Sequence, residues 1–294
     1  MAALLTKVKS KLFIVAHRKT WGLLDGEYTS VFRGRSLDYD DLREYVPGDE
    51  VRDIDWKATA RHGSPLVKRY VANRKQKVVL VVDTGRGMAA LSRGGEPKSA
   101  VAVMVCGVLG YLALRHGDTV GLVEGDATTT TPHPSKGTEA HLERLLQEID
   151  ARTTLASGPS RLVDQLRYVA DTYRQRMLLL VVGDDQDMTS EHEQLVRRLL
   201  AQHEILWVAV EDVDPTTAAP GEHAYDVADG ALLPPEVRFD ARLRAAYGVA
   251  VQERRDHVER TLDHLGIVHT RVGSSDQAVS AVFRLLQRQR RRGR

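Results

Sequence analysis

Two aspartates stand where the chain could do chemistry. The first opens Asp83-Thr84-Gly85-Arg86-Gly87-Met88, directly after the apolar run Val78–Val82. The second, Asp184, follows Gly183 at the end of another apolar run, Met177–Val182. An acid followed by small residues at alternate positions can form a loop whose side chains and backbone converge on one ion. A hard divalent cation such as Mg²⁺ takes oxygen ligands near an octahedron and keeps several waters. If the two runs are neighbouring strands, both carboxylates face one crevice. The plainer reading is a strand-end Asp that caps the turn after it, and the spacing alone leaves both open.

Other chemistries find less support. Gly94-Gly95-Glu96-Pro97-Lys98-Ser99 looks like a phosphate loop, but Pro97 stands where a Gly must precede the Lys. The eleven histidines show neither pairing with Cys nor the i, i+4 spacing of a metal-binding helix. The single Cys106 excludes both a thiolate zinc site and an intrachain disulfide. Lying in the apolar stretch 100–106, it reads as a buried, inert thiol, which fits a reducing compartment. No Gly-x-Ser-x-Gly elbow follows a strand.

The elements that must position the two aspartates alternate in type. Val78–Val82, Met177–Val182 and Ile205–Val210 are fully apolar, as buried parallel strands are. Residues 119–124 and 127–132 flank Gly125-Asp126 as a hairpin, and 266–272 form a last strand. Helical patterns fill 98–115, 138–149, 160–173, 190–203, 238–265 (with Gly248 as a possible break) and 276–287. Strands alternating with helices predict an α/β fold, a doubly wound, mostly parallel sheet covered on both faces. Such sheets bind ligands at the carboxyl ends of their strands, where the strand order reverses. Residues 212–235, rich in Pro, Ala and Asp, read as a long surface loop. Before residue 75 the chain is charged and turn-rich. The expected domains are therefore 1–75, a β-rich N-terminal segment; 76–287, the α/β domain; and 288–294, a basic tail.

Lys plus Arg number 42 and Asp plus Glu 40, a net charge of +2 that argues against bulk nucleic-acid binding. The tail concentrates Arg284, Arg288, Arg290, Arg291, Arg292 and Arg294, which read as a solvated helix end or as a contact for acidic surfaces. No stretch approaches the ~20 apolar residues of a membrane span. Leu12–Ala16 is too short for a signal-peptide core. The expectation is a cytoplasmic protein without a transmembrane segment.

Asp83-x-Gly85-x-Gly87 resembles the Asp-x-Ser-x-Ser of the metal-ion-dependent adhesion motif in von Willebrand factor A domains. By that resemblance Ser160, in Gly158-Pro159-Ser160-Arg161-Leu162, takes the place of the motif's Thr, and Asp184 that of its fourth-strand Asp. Gly85 and Gly87 replace two ligand serines, so the resemblance implies a Mg²⁺ site of Asp83, Ser160 and Asp184 that is weakened or vestigial. The segment from Gly34 to Arg61, with Leu37-Asp38-Tyr39, Tyr45-Val46-Pro47-Gly48-Asp49 and Asp53-Ile54-Asp55-Trp56, is very similar to the signature of a bacterial family catalogued as domain of unknown function fifty-eight. Its members pair this segment with a von Willebrand factor A-like domain. Here Val46-Pro47-Gly48-Asp49 is a turn signal. Arg43, Arg52 and Arg61 alternate with Asp49, Asp53 and Asp55 closely enough for an ion-pair network. That network either pins a small β element in place or, with Trp56, forms a partner-docking surface, for which Arg43, Asp49, Arg52, Asp55 and Trp56 are the candidates.

The resemblance implies a non-enzymatic protein-binding adaptor. Genes of the family commonly neighbour those of MoxR-type AAA+ ATPases, which makes such an ATPase the expected partner in assembly or maturation of protein complexes. Two rivals remain: a metal-dependent hydrolase in the strand-end crevice, and a membrane-surface scaffold held by the arginine tail.

Overall fold

The computed structural model describes residues 3–18, 39–47, 49, 51, 54–70, 75–185, 188–217 and 224–292. It divides into two units, one of residues 1–31 with 76–294 and one of residues 32–75.

In the larger unit the apolar runs become β3 (Lys77–Asp83), β6 (Leu178–Asp184) and β7 (Glu204–Val210). With β4 (Thr119–Gly125), β5 (Thr130–Lys136) and β8 (Val268–Val272) they form a six-stranded sheet of order β5-β4-β3-β6-β7-β8. All neighbours are parallel except the edge hairpin β4–β5. The hairpin turn is longer than its Gly-Asp suggests. The Asp126 carboxylate accepts from Thr128 N (2.8 Å) and Thr129 N (3.0 Å), so the return strand starts only at Thr130.

From β3 the chain runs outward to β4 and later returns to β6 on the other side. The strand order therefore reverses between β3 and β6, at Asp83 and Asp184, the point where doubly wound sheets form a crevice. Val82 pairs with Val182, one residue before Asp83 and two before Asp184.

Helices α3 (Lys98–Arg115), α4 (Glu139–Arg152), α5 (Leu162–Thr172), α6 (Ser190–Leu200), α7 (Pro235–Phe239), α8 (Ala241–His264) and α9 (Ser275–Arg292) complete the unit. Helix α3 is long and apolar enough to cross a membrane by length and composition, but 78% of it is buried in the unit, between the sheet and helices α4 and α9. Apolar all round, it behaves as a core helix.

Three expectations are corrected. The N-terminal residues do not all belong to a β-rich segment: α1 (Leu4–Arg18) packs on α3, α4 and α9 through Leu5, Val8 and Leu12, on one helical face. A Cβ at Gly107 of α3 would lie 2.5 Å from Val8 Cγ2, so the glycine admits α1, and Glu143 of α4 accepts the exposed N–H groups of Leu4 (3.0 Å) and Leu5 (2.7 Å). The helical pattern 238–265 breaks at Asp240 rather than Gly248, because Asp240 caps α8 through Arg242 N (2.7 Å) and Leu243 N (3.3 Å). The basic tail is no separate element, since α9 runs on to Arg292.

In the smaller unit β1 (Tyr39–Glu44) pairs antiparallel with β2 (Leu66–Tyr70), and α2 (Trp56–His62) lies between them in sequence. Gly63 ends α2 in the left-handed conformation (φ 87°) that glycine adopts without strain.

Candidate functional site

The crevice is built by three loops at the carboxyl ends of β3, β4 and β6. Thr84 N donates to Gly125 O (2.8 Å), which ties the loop after β3 to the end of β4. Arg86 N donates to Gly158 O (2.9 Å) and Ala127 N to Pro159 O (2.9 Å), so the segment before α5 is held between those two loops. Gly158 N in turn donates to the Asp126 carboxylate (2.7 Å).

This bracing delivers Ser160 to the two acids and unites Asp83, Ser160 and Asp184. A Cβ placed on Gly87 would lie 2.7 Å from Ser160 Oγ and 3.1 Å from Asp184 Oδ2. Asp83 is 1% exposed; its Oδ1 accepts from Gly85 N (2.8 Å), while Oδ2 and Ser160 Oγ are buried without a hydrogen-bond partner. Burial, above all, and the Asp184 carboxylate next push the Asp83 pKa up to about 7 against the Gly85 N–H, the nearby Ser160 hydroxyl and Lys98. The strand-end Asp is thus both a turn cap, through Gly85, and a member of the crevice.

Lys98 is the residue that sequence reasoning passed over. Set aside as part of a failed phosphate loop, it is the first residue of α3, and its ammonium enters the crevice. It donates to Asp184 Oδ1 (2.8 Å) and to Asp212 Oδ1 (2.5 Å), and the side chain is 1% exposed. Burial pulls its pKa down, but the attraction of Asp184 and Asp212 outweighs that, and the value stands above the ordinary lysine range. Asp212, beyond the end of β7, is pushed up by its partial burial and by Asp184, against the pull of Lys98. Two signals were available: a lone lysine at the head of an apolar helix, and an Asp at a third strand end.

A second charge network adjoins the first. Asp185, 4% exposed, faces Arg255 Nε of α8 at 2.9 Å and Arg271 Nε of β8 at 3.5 Å. Glu211, after β7, reaches Arg93 at 3.5 Å and Arg255 at 4.0 Å. On the β4 side, buried Glu124 accepts from Thr84 Oγ1 (2.9 Å). The strand ends therefore carry acids from four strands or their continuations, most of them partnered within the unit.

The residues of the family-like signature lie in the smaller unit. Arg43 grips Asp49 with both guanidinium nitrogens (2.7 and 2.6 Å). Asp49 also accepts from Val46 N (2.9 Å), closing the turn, and these bonds hold its carboxyl below the usual range. Asp55 caps α2 through Lys57 N (3.1 Å) and Ala58 N (3.0 Å). Trp56 is 64% exposed. Arg52 and Asp53 lie outside the described residues.

Residues 41–257 match the family model described as Protein of unknown function DUF58. The chain belongs to this family. Relatives include uncharacterized proteins of Mycobacterium tuberculosis and Mycobacterium bovis, each 26% identical over 264 residues, or 87% of this chain and 80% of the relative. Among solved structures, an aerotolerance-related membrane protein from Bacteroides fragilis aligns with 13% identity over 72% of this chain and 98% of its own, at a TM-score of 0.47. A von Willebrand factor type A structure from Catenulispora acidiphila aligns with 11% identity over 74% of this chain and 43% of its own, at 0.38. The sheet order with its reversed edge strand agrees with the von Willebrand factor A-like fold expected of a DUF58 chain.

The donor set departs from the adhesion motif that this fold carries. Asp83 Oδ2 and Ser160 Oγ are both buried in the crevice. Yet both motif hydroxyls are missing, and their space is filled: a Cβ on Gly85 would lie 2.5 Å from Ser160 Cα and 2.6 Å from its nitrogen. An ammonium already sits on Asp184. Among the described residues no group of three or more His, Cys, Asp or Glu side chains is arranged to hold a metal ion. These residues do not fit a Mg²⁺ site of the motif's kind, which needs about six oxygens around the ion.

Proposed function

We propose that this DUF58 chain is a non-enzymatic protein-binding adaptor. The observation that carries the reading is a division of labour within the signature segment. Its charged residues serve the fold: Arg43 with Asp49 closes a turn, and Asp55 caps a helix. Three of its apolar residues are left in water: Val46 is 56% exposed, Val51 61% and Trp56 64%. Exposed tryptophan on a braced scaffold is the residue type that most often anchors a protein interface, and apolar side chains held out in one short segment mark an interaction surface.

The strand-end crevice supports binding over catalysis. Apart from Asp83, its ionisable groups are engaged with one another, Lys98 with two aspartates and Asp185 with two arginines. A pocket beside it, lined by Asp83, Asp185, Trp207 and His192 among others, offers one histidine, whose Nδ1 pairs with the Thr189 hydroxyl (2.7 Å) in the cap of α6. A metal-dependent hydrolase would need an open metal position and a free base there. The membrane-scaffold alternative has part of its tail engaged internally, since Arg288 donates to His269 O (3.2 Å) and Arg292 pairs with Asp263 at 3.8 Å.

Resemblance names the partner, a MoxR-type AAA+ ATPase. The test is direct binding of the purified chain to that ATPase from the same source, by interferometry. Trp56→Ala is expected to weaken binding at least ~10-fold, as a loss of about 1.4 kcal/mol or more at an anchor does. Binding of undiminished strength by Trp56→Ala would remove the assigned surface, and no binding by the parent chain would remove the partner.

A further inference from the structure

We propose that Lys98 is a built-in cation that stands in for the divalent metal of adhesion-type sites, so that this crevice keeps its structure without a metal ion. The inference concerns how the crevice is held together, and it is independent of the docking reading above.

Three observations converge on it. First, the lysine is placed where local physics disfavours it. It opens the apolar helix α3, where the helix dipole presents its positive end, and its side chain is 1% exposed. A buried ammonium is tolerated only when carboxylates compensate it at close range. A residue that breaks local rules in this way marks a tertiary role. Second, its partners are the crevice acids themselves: Asp184 Oδ1 at 2.8 Å, which also accepts Asp185 N (2.7 Å), and Asp212 Oδ1 at 2.5 Å. The acid that resembles the motif's fourth-strand ligand is thus already neutralised from within the chain. Third, the space of the motif's hydroxyls is closed rather than merely empty. Side-chain carbons at Gly85 and Gly87 would lie 2.5 Å from Ser160 Cα and 2.7 Å from Ser160 Oγ. A serine could be accommodated at Gly85 only if the Ser160 segment, braced by Arg86, Ala127 and Asp126, moved away, and at Gly87 only if the Ser160 hydroxyl turned aside.

A tethered ammonium and a free divalent ion compete for the same carboxylates. The tethered one has the advantage of proximity, because its translational entropy was lost on folding. The consequence is a crevice indifferent to Mg²⁺ and to chelators. Removing the lysine charge leaves Asp83, Asp184 and Asp212 without a counter-ion and turns the crevice into a cation site.

The test uses the full chain, with Mn²⁺ and Mg²⁺ as probes, read by thermal melting and by Mn²⁺ paramagnetic resonance. The parent protein is expected to melt at the same temperature in EDTA and in millimolar Mg²⁺, and to leave Mn²⁺ unbound. Lys98→Ala is expected to melt lower in EDTA, to regain much of the loss in Mg²⁺, and to bind Mn²⁺ at least ~10-fold more tightly than the parent. Lys98→Met with Asp184→Asn, which removes both charges of the more deeply buried pair, is expected to remain insensitive to metal. Saturable Mn²⁺ binding by the parent chain that is lost in Asp83→Ala would overturn the proposal whether or not Lys98→Ala folds. So would a folded Lys98→Ala that melts lower but ignores both metals.

Discussion

The strand-end crevice and the signature segment are both rich in charge and use it in opposite ways. In the crevice, charges from distant parts of the chain are wholly or partly buried and cancel one another: Lys98 with Asp184 and Asp212, Arg255 and Arg271 with Asp185. In the signature segment, charges close in sequence fix the backbone locally, and three apolar residues face water. Breaking a buried pair strands a charge in a medium that cannot solvate it, whereas breaking a local contact exposes groups that water can serve. Substitutions in the first region should therefore act on stability, and those in the second on recognition.

The largest effect that would sharpen this contrast is expected from Lys98→Met. It strands Asp184 and should cost about 3–5 kcal/mol in urea unfolding, the range for removing one partner of a buried pair. A loss below ~1 kcal/mol would mean that the network is solvated and the contrast false.

Next comes Asp83→Asn. With its pKa raised to about 7 in the folded chain against ~3.9 unfolded, Asp83 binds more protons folded than unfolded between those values. Its contribution to stability is complete below the unfolded value and is lost as pH rises through the folded one. The asparagine lacks this loss. Relative to the parent it should gain up to about 1.4 kcal/mol per pH unit across that window and stay level above it. Denaturation at a series of pH values checks this, and a difference flat throughout would mean that Asp83 titrates normally.

Asp55→Ala in the smaller unit removes a helix cap and should cost ~1 kcal/mol, readable by urea unfolding of the full chain. Trp56→Ala is expected to change stability by no more than ~0.5 kcal/mol, as an exposed substitution does, while weakening partner binding. A large stability loss there would turn Trp56 from an anchor into a core residue and merge the two regions.

Much of the fold was legible. The runs at 78–82, 177–182 and 205–210 are apolar on both faces and lie close to β3, β6 and β7, and residues 98–115 coincide with α3. The α1 helix was not legible as part of the α/β unit. Its buried face is three residues wide, and exposed Phe13 and Ile14 blur its periodicity. Asp83 and Asp184 were found because strand ends announce themselves, and Ser160 because the family-like pattern pointed to it.

What the sequence by itself determined is what depends on neighbours along the chain: the identity of the main strands and helices and the turn at Val46–Asp49. Lys98 meets Asp184 across 86 residues and Asp212 across 114. Only the winding of the sheet, which brings the ends of β3, β6 and β7 side by side, decided that a lysine resembling a failed phosphate loop would become the counter-ion of the crevice. No local pattern encodes that meeting, because a Coulomb contact depends on distance in space and on the exclusion of water, and both exist only once the sheet has formed.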